Sequence, residues 1–389
     1  MSEVVGIAAE YNPFHNGHAF HIESVKCGCS PSAVVVAMSG SFTQRGEAAV
    51  ADKYVRARAA VEAGADLVVQ LPVYFSVKPA ELFAKAAVKI FSSLGVSCIS
   101  FGVETQNPQI LAELAGLLSN EPMWFKVALG ENLKKGLSFP AAVASALPDF
   151  KEILSYPNNV LALEYIKAAG AGFSTFPVTR VGAAHDSDKP EGEFASATFI
   201  RRLLKEGHLD YAAQFMPHYA FELLRREVES GCAPSDFDSL ESALLLRLRQ
   251  IPEEQLAFIC DVSEGLERRI KKYIYSAVTL EKLVCDIKCK RYTRARIMRV
   301  LTSCFLGLKK GISPEDISYV HPLAFNQTGA SLLKASKLPV VYRKCDVTTD
   351  SEALVELDSF ADDCFCMMLP SSRRRAFGSY FSRAPVVFK

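Results

Sequence analysis

Four short apolar runs punctuate the first hundred residues, at Val4–Ala9, 33–38, 66–71 and 96–101. They are rich in β-branched residues and almost free of polar interruption, the pattern of strands buried on both faces of a parallel sheet. Between them apolar positions recur at helical spacing over 17–26, 51–63 and 79–94, and Gly64 and Gly95 stand where the last two helices need a C-terminal cap. This alternation predicts a doubly wound α/β fold with a parallel sheet and a binding crevice at the carboxyl ends of its strands. A helix over about 159–169 then leads to a fifth strand at 175–181. His185 to Phe194, rich in Asp, Lys, Pro, Gly and Glu, reads as an irregular connection, and a helix opens at Ala195. Beyond Gly207 the periodicity is almost wholly helical, through 240–249, 254–275 and 279–308. The expected division is a catalytic domain at 1–207, a helical region at 208–342 and a tail at 343–389. One strand-like run, 338–342, precedes that tail, which has no clear period.

Size and composition narrow the class. A chain of 389 residues is long enough for two domains with proper cores. No apolar run reaches the ~20 residues that span a bilayer. The N-terminus enters a strand directly, without the basic, apolar and cleavage regions of a signal peptide, so the expectation is a cytoplasmic protein. Eleven cysteines, an odd and scattered set, fit reduced thiols. Cys27-x-Cys29 and Cys364-x-Cys366 lack zinc-ribbon spacing, and no metal site is expected.

A net charge of +1 hides an asymmetry. Residues 268–299 hold eleven Lys or Arg against Glu281 and Asp286 alone. With Tyr273, Tyr275 and Tyr292 interleaved, the stretch suits a polyanion, and Arg268, Arg269, Lys271, Lys272, Arg291 and Arg294 are candidates for RNA phosphates. The plainer alternative is a solvated helical face.

The chemistry is concentrated just after the first strand, in Glu10-Tyr11-Asn12-Pro13-Phe14-His15-Asn16-Gly17-His18. A helix beginning here offers free N–H groups and a partial positive charge, which suit an anion. Gly17 lets the backbone approach a phosphate. His15 and His18 can donate to the charge that builds when an α-phosphate is attacked. Ser196-x-Thr198-x-x-Arg201 opens a later helix; it is a simple cap or a second wall of hydroxyls and a guanidinium for leaving pyrophosphate. The polar loop after the second strand, from Ser39 to Glu47, offers Arg45, with Lys53 beyond it, to neutralise a small carboxylate or a phosphate. Asn158 and Asn159, just before a helix, are either a cap or a hold on ribose or adenine.

In this order the motifs resemble one family, the tRNA(Met) cytidine acetate ligases. The resemblance runs from Gly6-Ile7-Ala8-Ala9-Glu10 through His18, then Met38-Ser39-Gly40 and Gln44-Arg45-Gly46-Glu47, Gly64 to Pro72, Phe101-Gly102-x-Glu104 and Pro157-Asn158-Asn159. It continues with Ala195-Ser196-Ala197-Thr198 and Arg201, Arg291-Tyr292-Thr293 and Phe325-Asn326. It implies ATP-dependent activation of acetate to acetyl-adenylate, with ATP carrying Mg²⁺, and transfer of acetyl to N4 of the wobble cytidine of elongator tRNA(Met). It also implies an ATP site lined by Ile7, Ala8, Ala9, Glu10, Tyr11, Asn12, Pro13, Phe14, His15, Asn16, Gly17, His18, Ala19 and Phe20, with Gly102, Asn158, Asn159 and Arg180. Ser41 and Val103 stand where the family usually has Asn and Ser, at positions expected to touch the substrate crevice. The alternative is an adenylyltransferase or carboxylate-activating synthetase acting on a small metabolite. It leaves the basic helical stretch unexplained.

Overall fold

The computed structural model describes residues 3–181, 189–376 and 378–389, so part of the connection expected at 185–194 lies outside the described residues. A seven-stranded sheet runs through the molecule in the order β5-β4-β1-β2-β3-β6-β7. The strands are β1 (Val4–Ala9), β2 (Ala33–Ser39), β3 (Leu67–Leu71), β4 (Cys98–Val103), β5 (Ser174–Thr179), β6 (Pro322–Phe325) and β7 (Val386–Val387). β1 to β5 are parallel throughout, as the doubly wound reading predicts. β6, which sequence periodicity did not suggest, pairs antiparallel with β3, and β7 runs parallel to β6. The strand expected at 338–342 is only a bridge between Val340 and Val320.

Every residue of β2 is buried, because helices cover both faces of the sheet. Alternation along the strand divides its side chains between two cores. Val34, Val36 and Met38 pack with Ile22 and Val25 of helix α1 (Asn16–Cys29) and with Ala57 and Ala60 of helix α2 (Lys53–Glu62). Val35 and Ala37 face the opposite core, with Phe83 and Phe91 of helix Ala80–Ser93 and Tyr165 of helix Pro157–Ala169. The first core also takes Phe215, Ala220, Phe221 and Leu224 from the segment after Gly207. The second takes Leu354, Val355 and Phe365 from the tail. A third cluster, from Leu244 to Cys304, belongs to the helical region alone.

Two long predicted helices are broken. Residues 254–275 form Glu253–Leu256 and Leu266–Ile274, separated where Asp261, Glu264 and Gly265 adopt left-handed backbone angles. Residues 279–308 form Leu280–Ile287 and Arg294–Leu306, joined by a basic link at 288–293 in which Tyr292 is buried and Arg291 half-buried. The tail carries a 19-residue helix, Thr349–Met367, that its sequence pattern did not reveal. Among the described residues no helix is long and apolar enough to cross a membrane.

Candidate active site

The strand order reverses at β1, whose neighbours are β4 and β2, and the carboxyl ends of such strands open a crevice. A cavity of about 240 Å³ lies there. Its floor is Ile7, Ala8, Ala9, Glu10 and Tyr11 at the end of β1; Gly17, His18, Phe20 and His21 come from α1. Phe101 and Gly102 of β4, Asn158 and Tyr165 of the helix beyond it, and Val178 and Arg180 at the end of β5 form the far wall. Gln44 and Arg45 close the side toward β2. The structure thus brings together twelve of the sequence candidates: residues 7–11, Gly17, His18, Phe20, Arg45, Gly102, Asn158 and Arg180.

Both signature histidines build the start of α1. His15 is its N-cap and accepts the Gly17 N–H on Nδ1 at 3.1 Å, while His18 Nδ1 accepts the His15 N–H at 3.2 Å. A backbone N–H can only donate, so each neutral imidazole carries its proton on Nε2 and presents a donor there. The two rings stack with centroids 3.7 Å apart. Gly17 is needed for this stack as well as for close approach of a ligand, because a Cβ there would lie 3.0 Å from the His15 ring. Tyr11 takes a left-handed φ of 49°, an uncommon conformation for an aromatic residue. Edge contacts to Phe14 (4.9 Å) and His18 (4.8 Å) hold it in place.

Several predicted residues support the cavity without lining it. Asn12 is buried and accepts the Val50 N–H at 2.6 Å, and its peptide bond to Pro13 is cis. Asn16 ties the signature loop to the Glu193 and Gln214 carbonyls at 2.8 and 3.3 Å. Ala19 packs against the core beneath α1. Asn159 is fully buried; its side-chain oxygen accepts the Glu104 N–H at 2.8 Å and braces the loop after β4. Ser196 caps helix Ala197–Lys205 by accepting the Phe199 N–H at 3.0 Å. Arg201 donates to the Asn12 carbonyl at 2.8 Å and to Thr198 Oγ1 at 3.2 Å, so this motif grips the signature loop from behind.

Two candidates for a carboxylate pocket lie elsewhere. Ser39 is buried, and its carbonyl accepts from Arg56 at 3.1 Å. Lys53 is buried against Asp362 at 2.6 Å and donates to Gln70 at 2.6 Å, with the Tyr380 ring 4.1 Å from its ammonium. Burial pulls the Lys53 ammonium down, but Asp362, Tyr54 and Asp358 together more than offset this and leave it above the ordinary lysine value. Ser41 donates to Asp362 at 2.5 Å and Val103 is buried in the core, so neither lines the cavity. The departures from the family pattern at these two positions therefore fall outside the crevice wall.

The electrostatics follow from burial. Burial raises the Glu10 carboxyl above its usual range, opposed by the Gln44 N–H at 2.7 Å and by Arg201 and Arg45. His21, which sequence reading passed over although it lies three residues beyond His18 on the same helical face, is pushed down to about 4 by burial and by Arg180. It stays neutral and shares a 2.8 Å hydrogen bond with Ser100 of β4. Burial also lowers Arg180, offset in part by Glu104, yet a guanidinium remains a cation. Glu104 in turn accepts from the Asn158 side chain at 3.0 Å. Among the described residues, no group of three His, Cys, Asp or Glu is arranged to hold a metal ion.

The basic stretch is built differently. Arg269 donates to the Ile287 and Asp286 carbonyls at 2.6 and 3.0 Å, and Lys271 to those of Leu248 and Arg249 at 2.9 and 3.2 Å. Arg294 forms a two-pronged pair with Glu281 at 2.8 and 2.6 Å. Arg268 lies 3.7 Å from Glu253, and Lys272 sits over the Tyr273 ring at 5.3 Å. Tyr292 is buried and donates to the Glu264 carbonyl at 2.5 Å, so it is not available for base stacking. Of the six predicted RNA contacts, Arg291 alone lies on the link at 288–293, beside exposed Lys288 and Lys290.

A mostly parallel sheet with paired imidazoles at the first strand end defines a nucleotidyl transferase, and residues 2–379 match the family described as HIGH Nucleotidyl Transferase. A tRNA(Met) cytidine acetate ligase of Thermoanaerobacter sp. (strain X514) is 36% identical, over 95% of this chain and 96% of its own. One from Syntrophomonas wolfei is 37% identical, over 98% and 99%. The chain belongs to this tRNA(Met) cytidine acetate ligase family. A crystal structure of Thermotoga maritima TmcAL bound with alpha-thio ATP, 31% identical, superposes with a TM-score of 0.90 over 99% of both chains. The apo form of the same protein gives 0.92.

Proposed function

We propose that this chain uses ATP to activate acetate as acetyl-adenylate and transfers the acetyl group to N4 of the wobble cytidine of elongator tRNA(Met). The observation that carries this reading is the strand-end cavity, where His18, backed by His15, meets Arg180 and Arg45 across one small space. A carboxylate resists an amine because oxide is a poor leaving group; joining it to AMP supplies a good one. As acetate attacks the α-phosphate, the Nε2–H groups of His15 and His18 donate to the growing charge. Arg180 and Arg45 supply fixed positive charge for the nucleotide and the small carboxylate. Mg²⁺ enters on the ATP phosphates, as part of the substrate. In this reading residues 1–207 carry the chemistry and 208–342 present the RNA surface, through Lys288, Lys290 and Arg291. The work is cytoplasmic, where tRNA and ATP meet.

The test is mass spectrometry of tRNA nucleosides after incubation with enzyme, ATP and labelled acetate. The expected product is labelled N4-acetylcytidine, at the wobble position of elongator tRNA(Met) only. Unlabelled RNA beside a labelled small-molecule product would instead establish a metabolite synthetase.

A further inference from the structure

We propose that Glu10 is the base that takes the N4 proton when the cytidine amine attacks acetyl-adenylate. This rests on the acetyl-transfer reading above. Glu10 lies one residue past β1 and lines the cavity between the signature loop and the Gln44–Arg45 segment. One carboxylate oxygen accepts the Gln44 N–H at 2.7 Å, which fixes the side chain. Its other oxygen makes no hydrogen bond among the described residues and is left to accept one.

The other polar groups of the wall are unsuited to the task. His15 and His18 use Nδ1 as acceptors for backbone N–H groups, so their outer nitrogens donate. His21 is tied to Ser100 and, at about 4, is a weak base. Arg45 and Arg180 are cations. Burial pushes the Tyr165 phenol above its ordinary value, so it stays protonated. Around Glu10, Arg201 and Arg45 favour the carboxylate and Glu47 opposes it. Arg56 donates to the Glu10 carbonyl at 2.6 Å, and Tyr165 lines the same cavity. Burial is the largest of these influences and raises the carboxyl above its ordinary value, which makes the carboxylate a stronger proton acceptor.

The step balances. The N4 lone pair forms the C–N bond to the acetyl carbon, the bond from that carbon to the AMP phosphate oxygen breaks, and AMP leaves as its anion. The proton lost from N4 passes to Glu10 and then to solvent. A cytidine amine is barely basic, so the nitrogen becomes strongly acidic as it attacks and needs an acceptor at that moment.

The experiment compares Glu10→Gln with the unmodified enzyme in two assays: acetate-dependent exchange of pyrophosphate into ATP, and acetyl transfer to tRNA in single turnover. Glutamine keeps a carbonyl for the Gln44 N–H. Because Glu10 lines the nucleotide cavity, exchange measures its effect on the first half-reaction, and transfer is expected to fall roughly 10²–10⁴-fold further than exchange does and to lose its acid limb in the pH profile. Glu10→Asp, which keeps a carboxylate, should restore part of the transfer and the limb. Transfer within about 3-fold of the unmodified enzyme, a retained acid limb, or parallel loss of exchange would each overturn the assignment. Absence of both exchange and transfer in the unmodified enzyme would instead sink the parent reading.

Discussion

The crevice at the ends of β1, β4 and β5 and the basic stretch at 268–299 use charge in opposite ways. The crevice holds few charged groups, and Glu10, Arg45 and Arg180 reach it from three separate segments. The basic stretch holds eleven cations, but Arg269 and Lys271 are taken up by helix-end carbonyls and Arg294, Arg296 and Arg299 by Glu281, Glu264 and Asp261. Counting charges along a chain therefore ranks the wrong region first for chemistry. What distinguishes a site is convergence of partly satisfied groups on one space.

The largest expected effect lies in the crevice. His18→Ala should lower adenylate formation roughly 10²–10³-fold, the scale for losing one transition-state donor. ATP affinity should change far less, because the donor matters most when charge develops. Near-normal turnover in both His15→Ala and His18→Ala would dissolve the contrast, since the crevice would then depend on its cations alone.

The basic stretch contains two kinds of residue. Arg269→Gln and Lys271→Gln remove charged donors from partly buried helix ends and should each cost about 1 kcal/mol of stability in urea unfolding. The salt dependence of tRNA binding should not move in either. Lys288→Gln, Lys290→Gln and Arg291→Gln should do the reverse, each lowering the log–log salt slope by roughly 0.7–0.9 with little loss of stability. If the capping pair alters the slope and the link does not, RNA lies on the helical face instead.

The smallest effect concerns His21. With its ring held neutral down to about 4, His21→Gln should reduce adenylate formation about 2–10-fold, the worth of one hydrogen bond, equally at every pH from 5 to 8. The sign follows from the lowered value: the folded protein favours neutral imidazole, and protonation sets in only as pH falls toward 4. A change in the shape of the profile above pH 5 would mean that the ring titrates during the reaction.

Much of the crevice was legible in the sequence because its cause is local. Uninterrupted apolar runs make the parallel strands, and His15, Gly17 and His18 make their own helix start within four residues. What was not legible depends on distant partners. Helix Thr349–Met367 hides because Asp358, Asp362 and Asp363 break its apolar face, yet all three are buried. Asp358 accepts from Tyr319 and the Val73 N–H at 2.5 and 2.6 Å, Asp362 from Ser41, and Asp363 from the Gly378 N–H at 2.8 Å. Lys53 misled for the same reason, since its partner Asp362 lies over three hundred residues away. The helix breaks at 257–265 and 288–293 were missed because helical periodicity resumes after each one in the same core.

The central claim, that this crevice activates a carboxylate by adenylation without help from the RNA surface, is tested most directly by pyrophosphate exchange with no tRNA present. The account predicts that labelled pyrophosphate enters ATP only when acetate is supplied, and that a Lys288, Lys290 and Arg291→Gln triple variant does this at the unmodified rate while failing to acetylate tRNA. Cleavage of ATP to ADP and phosphate, or exchange that requires tRNA, would contradict it.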